Sequence, residues 1–291
     1  MHRLALLLVA LAVAACASDE ASDARTVVAA FYPLAWAAEQ IAGDGARVVN
    51  LTPPGVEPHD IELGPRDVER VRDAELVLYL GGGFMPALED AVAGHANAID
   101  LLEGVELHEG ERHDDDGADD HGEADALDPH VWLDPLRFAA IAERVAAALG
   151  EPGAADELVE ELEALHAELE AGLADCERRE IVTSHAAFGY LAEAYGLRQV
   201  ALTGLSPESE PSPRALERLV AEVERSGATT VFFETLVSPR LAETVARETG
   251  ARTAALDPLE GLSSQQLEAG ESYVTVMRAN LAALREALEC R

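Results

Sequence analysis

From residue 26 onward, short continuous apolar runs alternate with stretches in which apolar residues recur every three or four positions. The runs "TVVAAFY", "RVVNLT", "ELVLYLGGG" and "NAIDLL" are separated by the helical patterns "LAWAAEQIAG", "GPRDVERVRDA" and "MPALEDAVAG". Strands apolar on both faces, alternating with amphipathic helices, predict a parallel sheet covered by helices. A second series begins at "EIVTSH" and continues through "RQVAL", "TTVFFE" and "RTAAL", again with helix-period sequence between the runs. The expected fold class is α/β, with two (β/α)4-type lobes built on parallel sheets.

The two series are separated by sequence that is almost wholly helix-forming. "PLRFAAIAERVAAALG" and "EPGAADELVEELEALHAELEAGLADC" break at "GEPG", and Leu158, Leu162, Leu165 and Leu169 recur at helical spacing among glutamates. This predicts a long, rigid helix joining the lobes. The expected organisation is an N-terminal lobe over 26–135, linking helices over 136–178 and a C-terminal lobe over 179–291. His166 lies within the second helix and is expected at its surface or at an interface.

The N-terminus changes the picture of where the chain works. "MHRLALLLVALAVAACAS" has one arginine, an apolar run from Leu4 to Ala15 and small residues before Cys16. That run suits a secretory signal over 1–15 and is too short to span a membrane. "VAAC" resembles the lipobox of bacterial lipoproteins, so Cys16 is expected to carry lipid, with 16–25 as a flexible tether. An ordinary signal peptide with an incidental cysteine is the alternative. The remaining two cysteines, Cys176 and Cys290, form an even pair in an exported chain, and a disulfide between them is the simplest expectation, against two free buried thiols.

Charge narrows the partners. The formal net charge is −34, and all 21 basic residues are arginines. Such a surface repels phosphate backbones and concentrates cations, which argues against a nucleic-acid partner. A genome-wide acidic habit would give the same number. The densest acidic stretch, Glu103 to Asp125, holds eleven acidic residues, the histidines His108, His113 and His121, and one arginine. It has nothing with which to bury a core.

Candidate chemistry lies at the ends of the predicted strands. His59 follows "RVVNLT" in "PPGVEPHD", His130 is set between prolines in "DPHVWLDP", His185 ends "EIVTSH", and Asp257 follows "RTAAL". Parallel α/β sheets bind ligands at such positions. Three imidazoles and one carboxylate suit tetrahedral Zn2+, although each histidine, taken alone, could equally be a satisfied core or loop residue. Glu234, ending "TTVFFE", is a candidate to orient a ligand histidine, or is simply structural. The "GGG" at 81–83 lacks phosphate-loop spacing.

Together, "GVEPHDIELGPRDVERVRDAELVLYLGGG", "DPHVWLDP", "TSHAAFGYLAEAYG", "LSPESEPSP", "FFETLVSPRLAETVARETGA" and "LDPLEGL" resemble the solute-binding lipoproteins of bacterial metal ABC transporters, in their zinc-uptake, ZnuA-type branch. The resemblance implies two lobes joined by a long helix, with one metal ion in the cleft between them held by His59, His130, His185 and Asp257. Where manganese or iron members carry a glutamate as third ligand, this chain has His185, which favours zinc. The zinc branch carries a His/Asp-rich insertion where His108, His113 and His121 lie, so 108–123 is expected to form an auxiliary, weaker metal site, against a plain solvated loop. The implied function is a non-enzymatic, monomeric, lipid-anchored receptor in the cell envelope that captures Zn2+ and delivers it to an ABC permease. A manganese or iron receptor, a secreted zinc hydrolase and an adhesin are the rivals.

Overall fold

The computed structural model describes residues 25–59, 61–109, 127–207 and 211–291. Its eight strands fall into two sheets. The first contains β1 (Arg25–Ala29), β2 (Ala46–Asn50), β3 (Leu76–Tyr79) and β4 (Ala98–Asp100), and the second β5 (Glu180–Thr183), β6 (Arg198–Ala201), β7 (Thr230–Phe233) and β8 (Arg252–Ala255). All pairings are parallel, and the spatial orders, β2-β1-β3-β4 and β6-β5-β7-β8, are the same. In both sheets the chain reverses its direction of travel beside the first strand, which opens a crevice at the carboxyl ends of the two central strands.

Among the described residues, ten α-helices accompany the strands: α1 (Tyr32–Ala42), α2 (Pro65–Asp73), α3 (Pro86–Val92), α4 (Pro135–Leu149), α5 (Asp156–Leu173), α6 (Gly189–Ala194), α7 (Pro213–Ser226), α8 (Arg240–Thr249), α9 (Ser264–Glu268) and α10 (Tyr273–Leu288). Local chemistry sets their ends. Asp134 caps α4 by accepting from the Leu136 backbone N–H, Pro135 fills the position where no N–H is needed, and Gly150 terminates the helix at φ 80°. Some boundaries are tighter than the sequence predicts. The first strand stops at Ala29 because Phe31 already caps α1, and α6 begins only at Gly189 because the preceding turn is pinned by the Ala186 N–H to Gly204 O bond at 2.9 Å.

Helix α5, about 27 Å long at the usual helical rise, buries Leu158, Leu162, Leu165 and Leu169 against α4 and α10. Arg278 on α10 grips Glu168 on α5 with bonds of 2.8 and 2.7 Å, and a Cys176–Cys290 disulfide ties the ends of the two helices together. The N-terminal sheet, α4, α5, α10 and one face of the C-terminal sheet form a continuous core, while the other face of that sheet has a separate cluster under α7 and α8. A shared core stiffens the junction beneath the cleft. His166 sits on α5 with its Nδ1 3.1 Å from the Tyr195 hydroxyl. No helix among the described residues is long and apolar enough to cross a membrane. Cys16, His113 and His121, with the signal and tether segments expected before residue 25, lie outside the described residues.

Candidate metal centre

The carboxyl ends of the strands deliver the site. His59 lies in the loop after β2, His185 follows β5 directly, and Glu234 follows β7. His130 opens the short 3-10 turn Val131–Leu133 ahead of α4. Among the described residues, one group of potential ligands converges: His59, His130, His185 and Glu260, each offering an atom within 4.8 Å of all the others. The Nε2 atoms of His130 and His185 are 3.4 Å apart and each is 3.1 Å from Glu260 Oε1. His59 Nε2 is 3.4 Å from the same oxygen. A tetrahedron with bonds of 2.0–2.1 Å has edges of roughly 3.3 Å, so these separations suit one four-coordinate ion.

Asp257 is not part of this group, which corrects the sequence reading. Its Oδ1 accepts from the Leu259 N–H at 2.8 Å, and its Oδ2 accepts from Thr235 Oγ1 at 2.9 Å and Gln266 Nε2 at 3.2 Å. Asn280 holds its backbone on both sides, at 2.9 and 2.7 Å. Asp257 therefore anchors the loop, and the chain reverses through Leu259, at a left-handed φ of 58°, to bring Glu260 into the cleft. The turn is further fixed by Trp132, whose indole N–H donates to Pro258 O at 2.8 Å across the lobes. Glu260 sits in the quoted "LDPLEGL" block, three positions after Asp257. The only sequence signal for it was a second carboxylate in the same strand-end loop.

Two of the three histidines are clamped. The His130 backbone N–H and its ring Nδ1–H both donate to Asp128 Oδ1, at 2.9 and 2.7 Å. The His185 N–H and Nδ1–H both donate to Glu234 Oε1, at 3.1 and 2.7 Å. A carboxylate on Nδ1 fixes the tautomer and turns Nε2 toward the metal position. Glu234 thus touches His185 as the sequence suggested, and Asp128 does the same for His130 without having been singled out. Among the described residues His59 has no carboxylate on its Nδ1, and its backbone N–H is held by Glu57 Oε1 at 3.0 Å.

Electrostatics follows the same division. Burial works to lower the pKa values of His130 and His185, but Asp128 and Glu260 raise the first, and Glu234 and Glu260 raise the second well above the usual histidine value. Burial lowers His59, and Glu260 offsets this only in part. Against burial, His185, His130 and His59 hold the Glu260 carboxyl well below the carboxylate range. Glu57 is pushed up to about 10 by burial and by the charge of neighbouring Glu260. Among the described residues, the buried Oε2 of Glu260 and Nε2 of His59 have no hydrogen-bond partner. An orphaned carboxylate oxygen and an orphaned imidazole nitrogen in a compact nitrogen–oxygen cluster fit a bound cation.

Of the loop histidines, only His108 is described. Its ring stacks on Tyr190 at 4.1 Å between centroids, with Nε2 3.0 Å from Glu193 Oε2, so it is not part of the cleft group.

Comparison with known proteins gives the same picture at the level of the whole chain. The "High-affinity zinc uptake system protein ZnuA" of Bacillus subtilis is 34% identical over 300 residues, covering 96% of this chain and 94% of that protein. The "Zinc-binding lipoprotein AdcA" of Streptococcus pneumoniae is 35% identical over 98% of this chain, which spans 61% of that longer protein. The Zn(II)-bound ZnuA-like domain of Streptococcus pneumoniae AdcA superposes with a TM-score of 0.75 at 32% identity, covering 91% of this chain and 99% of that domain. The sequence profile described as "Zinc-uptake complex component A periplasmic" matches residues 27–287, and the chain belongs to this ZnuA family of solute-binding receptors.

Proposed function

We propose that this chain is an extracytoplasmic receptor that captures one Zn2+ through His59, His130, His185 and Glu260 and hands it to a cognate ABC permease. The observation that carries the reading is the cluster itself: three ring nitrogens and one carboxylate oxygen, brought from separate loops to within 4.8 Å of one another. Nitrogen-rich, compact donor sets favour zinc over manganese. With four protein donors around the ion, no position remains to activate water, so the site stores and releases rather than hydrolyses.

The lipid anchor at Cys16, a monomeric state and a location at the outer face of the cytoplasmic membrane or in the periplasm belong to the same proposal. So does a cation-gathering role for the acidic segment with His113 and His121. The relatives' names, which include a zinc-uptake protein and a zinc-binding lipoprotein, support the reading.

The test is a competitive Zn2+/Mn2+ titration of the chelator-stripped chain beside a His130→Ala variant. The expected result is one tight zinc equivalent, poorly displaced by manganese and lost in the variant. Tight manganese binding, or zinc binding indifferent to His130, would overturn it.

A further inference from the structure

Glu260 belongs to the β8 loop, yet the groups that flank it are held from the opposite side of the cleft. Two residues before it, Pro258 O accepts from the Trp132 indole N–H at 2.8 Å. Two residues after it, Leu262 O accepts from the Gly55 N–H of the 51–59 loop at 3.0 Å. The fourth ligand is thus slung between two donors of the N-terminal lobe, one a side chain and one a backbone group. Trp132 itself lies two residues after His130, so its bond to Pro258 runs as a second tie beside the 3.1 Å approach of His130 Nε2 to Glu260 Oε1.

The indole is built to hold its direction. Trp132 is 1% exposed and packs edge-on against Phe31 at 4.8 Å between centroids, with Phe84 at 5.5 Å and the His130 ring at 5.1 Å. Its backbone carbonyl accepts from the Tyr273 hydroxyl at 2.6 Å. Tyr273 opens α10 and is fully buried, with its ring packed against Trp36 at 5.2 Å and Phe138 at 4.7 Å. Trp132 therefore meets the C-terminal lobe twice, through its ring and through its carbonyl. Burial keeps water from replacing either bond, and losing one partner leaves a buried polar group unsatisfied.

The indole bond acts on the turn that aims Glu260. Leu259, between Pro258 and Glu260, has a left-handed φ of 58°, a conformation that a leucine keeps only where its surroundings over-determine it. The peptide unit joining Pro258 to Leu259 is pinned at both ends, its N–H by Asp257 Oδ1 and its C=O by the indole. We propose that Trp132 is a positioning residue for the metal: by fixing Pro258 it sets the reach of Glu260 to His130 and His185, and so the short donor spacing that suits Zn2+ over a larger ion. Mn2+ prefers an oxygen-rich octahedral shell completed by water, so a relaxed fourth ligand weakens it less than it weakens tetrahedral zinc. The inference rests on the ligand set proposed above.

The test is a mutant cycle. Zinc and manganese affinities are measured by competition calorimetry on the chelator-stripped chain, on Trp132→Phe, on Glu260→Ala and on the double variant, each beside a thermal melt of the metal-free protein. Trp132→Phe keeps an aromatic ring and removes the indole N–H; it should weaken zinc by about 10–100-fold, the scale for an outer contact of a metal ligand, and weaken manganese less. In the Glu260→Ala background the same change should alter zinc affinity by less than about twofold, because the group it positions is already gone. Should Trp132→Phe fail to fold, Tyr273→Phe, which removes one hydroxyl and frees the Trp132 carbonyl, carries the same cycle. Unchanged zinc affinity, equal losses for the two metals, or the same loss with and without Glu260 would each overturn the inference. A chain with no tight zinc, or with zinc indifferent to Glu260→Ala, would bring down the proposed ligand set itself, whereas a tight site sensitive to Glu260→Ala and indifferent to Trp132→Phe brings down this inference alone.

Discussion

His130 and His185 differ from His59 in how they are held, and the difference divides the site into a preset part and an adjustable part. The first two are fully buried, each locked through backbone and ring by a single carboxylate oxygen. The third comes from the 51–59 loop, keeps a side-chain exposure of 9% and has an unpartnered ring nitrogen. Outer hydrogen bonds reduce the ordering cost of binding. The lobes thus present a rigid pair of nitrogens at 3.4 Å, and the 51–59 loop closes the polyhedron. Such an arrangement combines tight capture with a ligand that can let go first, which a delivering receptor needs.

The sharpest way to break this comparison is to remove one ligand from each class. His185→Ala should abolish the tight zinc equivalent, a loss well beyond the roughly 10–100-fold typical of outer contacts. His59→Ala should leave a weaker but measurable equivalent in the same calorimetric titration. Equal losses would mean that preorganisation does not distinguish them. Next in size is the carboxylate pair of the β8 loop. Glu260→Gln should weaken zinc strongly, whereas Asp257→Asn should keep the tight equivalent and lower thermal stability by about 1–3 kcal/mol, through disturbed buried hydrogen bonds. The reverse outcome would restore Asp257 as ligand.

Loss of either clamp should fall in the middle. Glu234→Gln or Asp128→Asn is expected to cost about 10–100-fold in zinc affinity while the fold melts normally. The pH dependence is of similar size. His130 and His185 have raised pKa values in the metal-free protein, and zinc must displace those protons. Metal-free protein therefore binds more protons than loaded protein, so affinity rises with pH and levels off only above the metal-free His185 value. As pH falls, the decline begins above the ordinary histidine value near 6.5; isothermal titrations between pH 9 and 5.5 would show it. The smallest effect is expected at Glu57. Because its carboxyl is pushed up to about 10, it is protonated at neutral pH, and Glu57→Gln should change zinc affinity by less than about fivefold, under 1 kcal/mol.

Much of this molecule was written locally. Apolar runs gave eight strands near their places, the leucine spacing of α5 gave the joining helix and its buried face, and cysteine parity gave the Cys176–Cys290 pair. His59 and His185 follow strands, where parallel α/β sheets bind ligands, but each histidine alone stayed ambiguous, and the set that includes His130 came from the resemblance to the zinc-uptake family. What the chain by itself left open is the choice between two carboxylates in one loop. Asp257 and Glu260 both follow β8, and linear spacing treats them alike. The selection depends on Thr235 after β7, Gln266 on α9, Asn280 on α10 and the left-handed turn at Leu259. These groups are distant in sequence or set by packing, and they consume Asp257 while aiming Glu260 inward. The clamp of Asp128 on His130 was equally hidden, since a carboxylate two residues before a histidine reads as one more surface charge until burial gives it a partner. Sequence determined which segments could supply donors, because strand and helix patterns are short-range. Tertiary structure decided which donors meet, because that depends on where separate loops are pressed together.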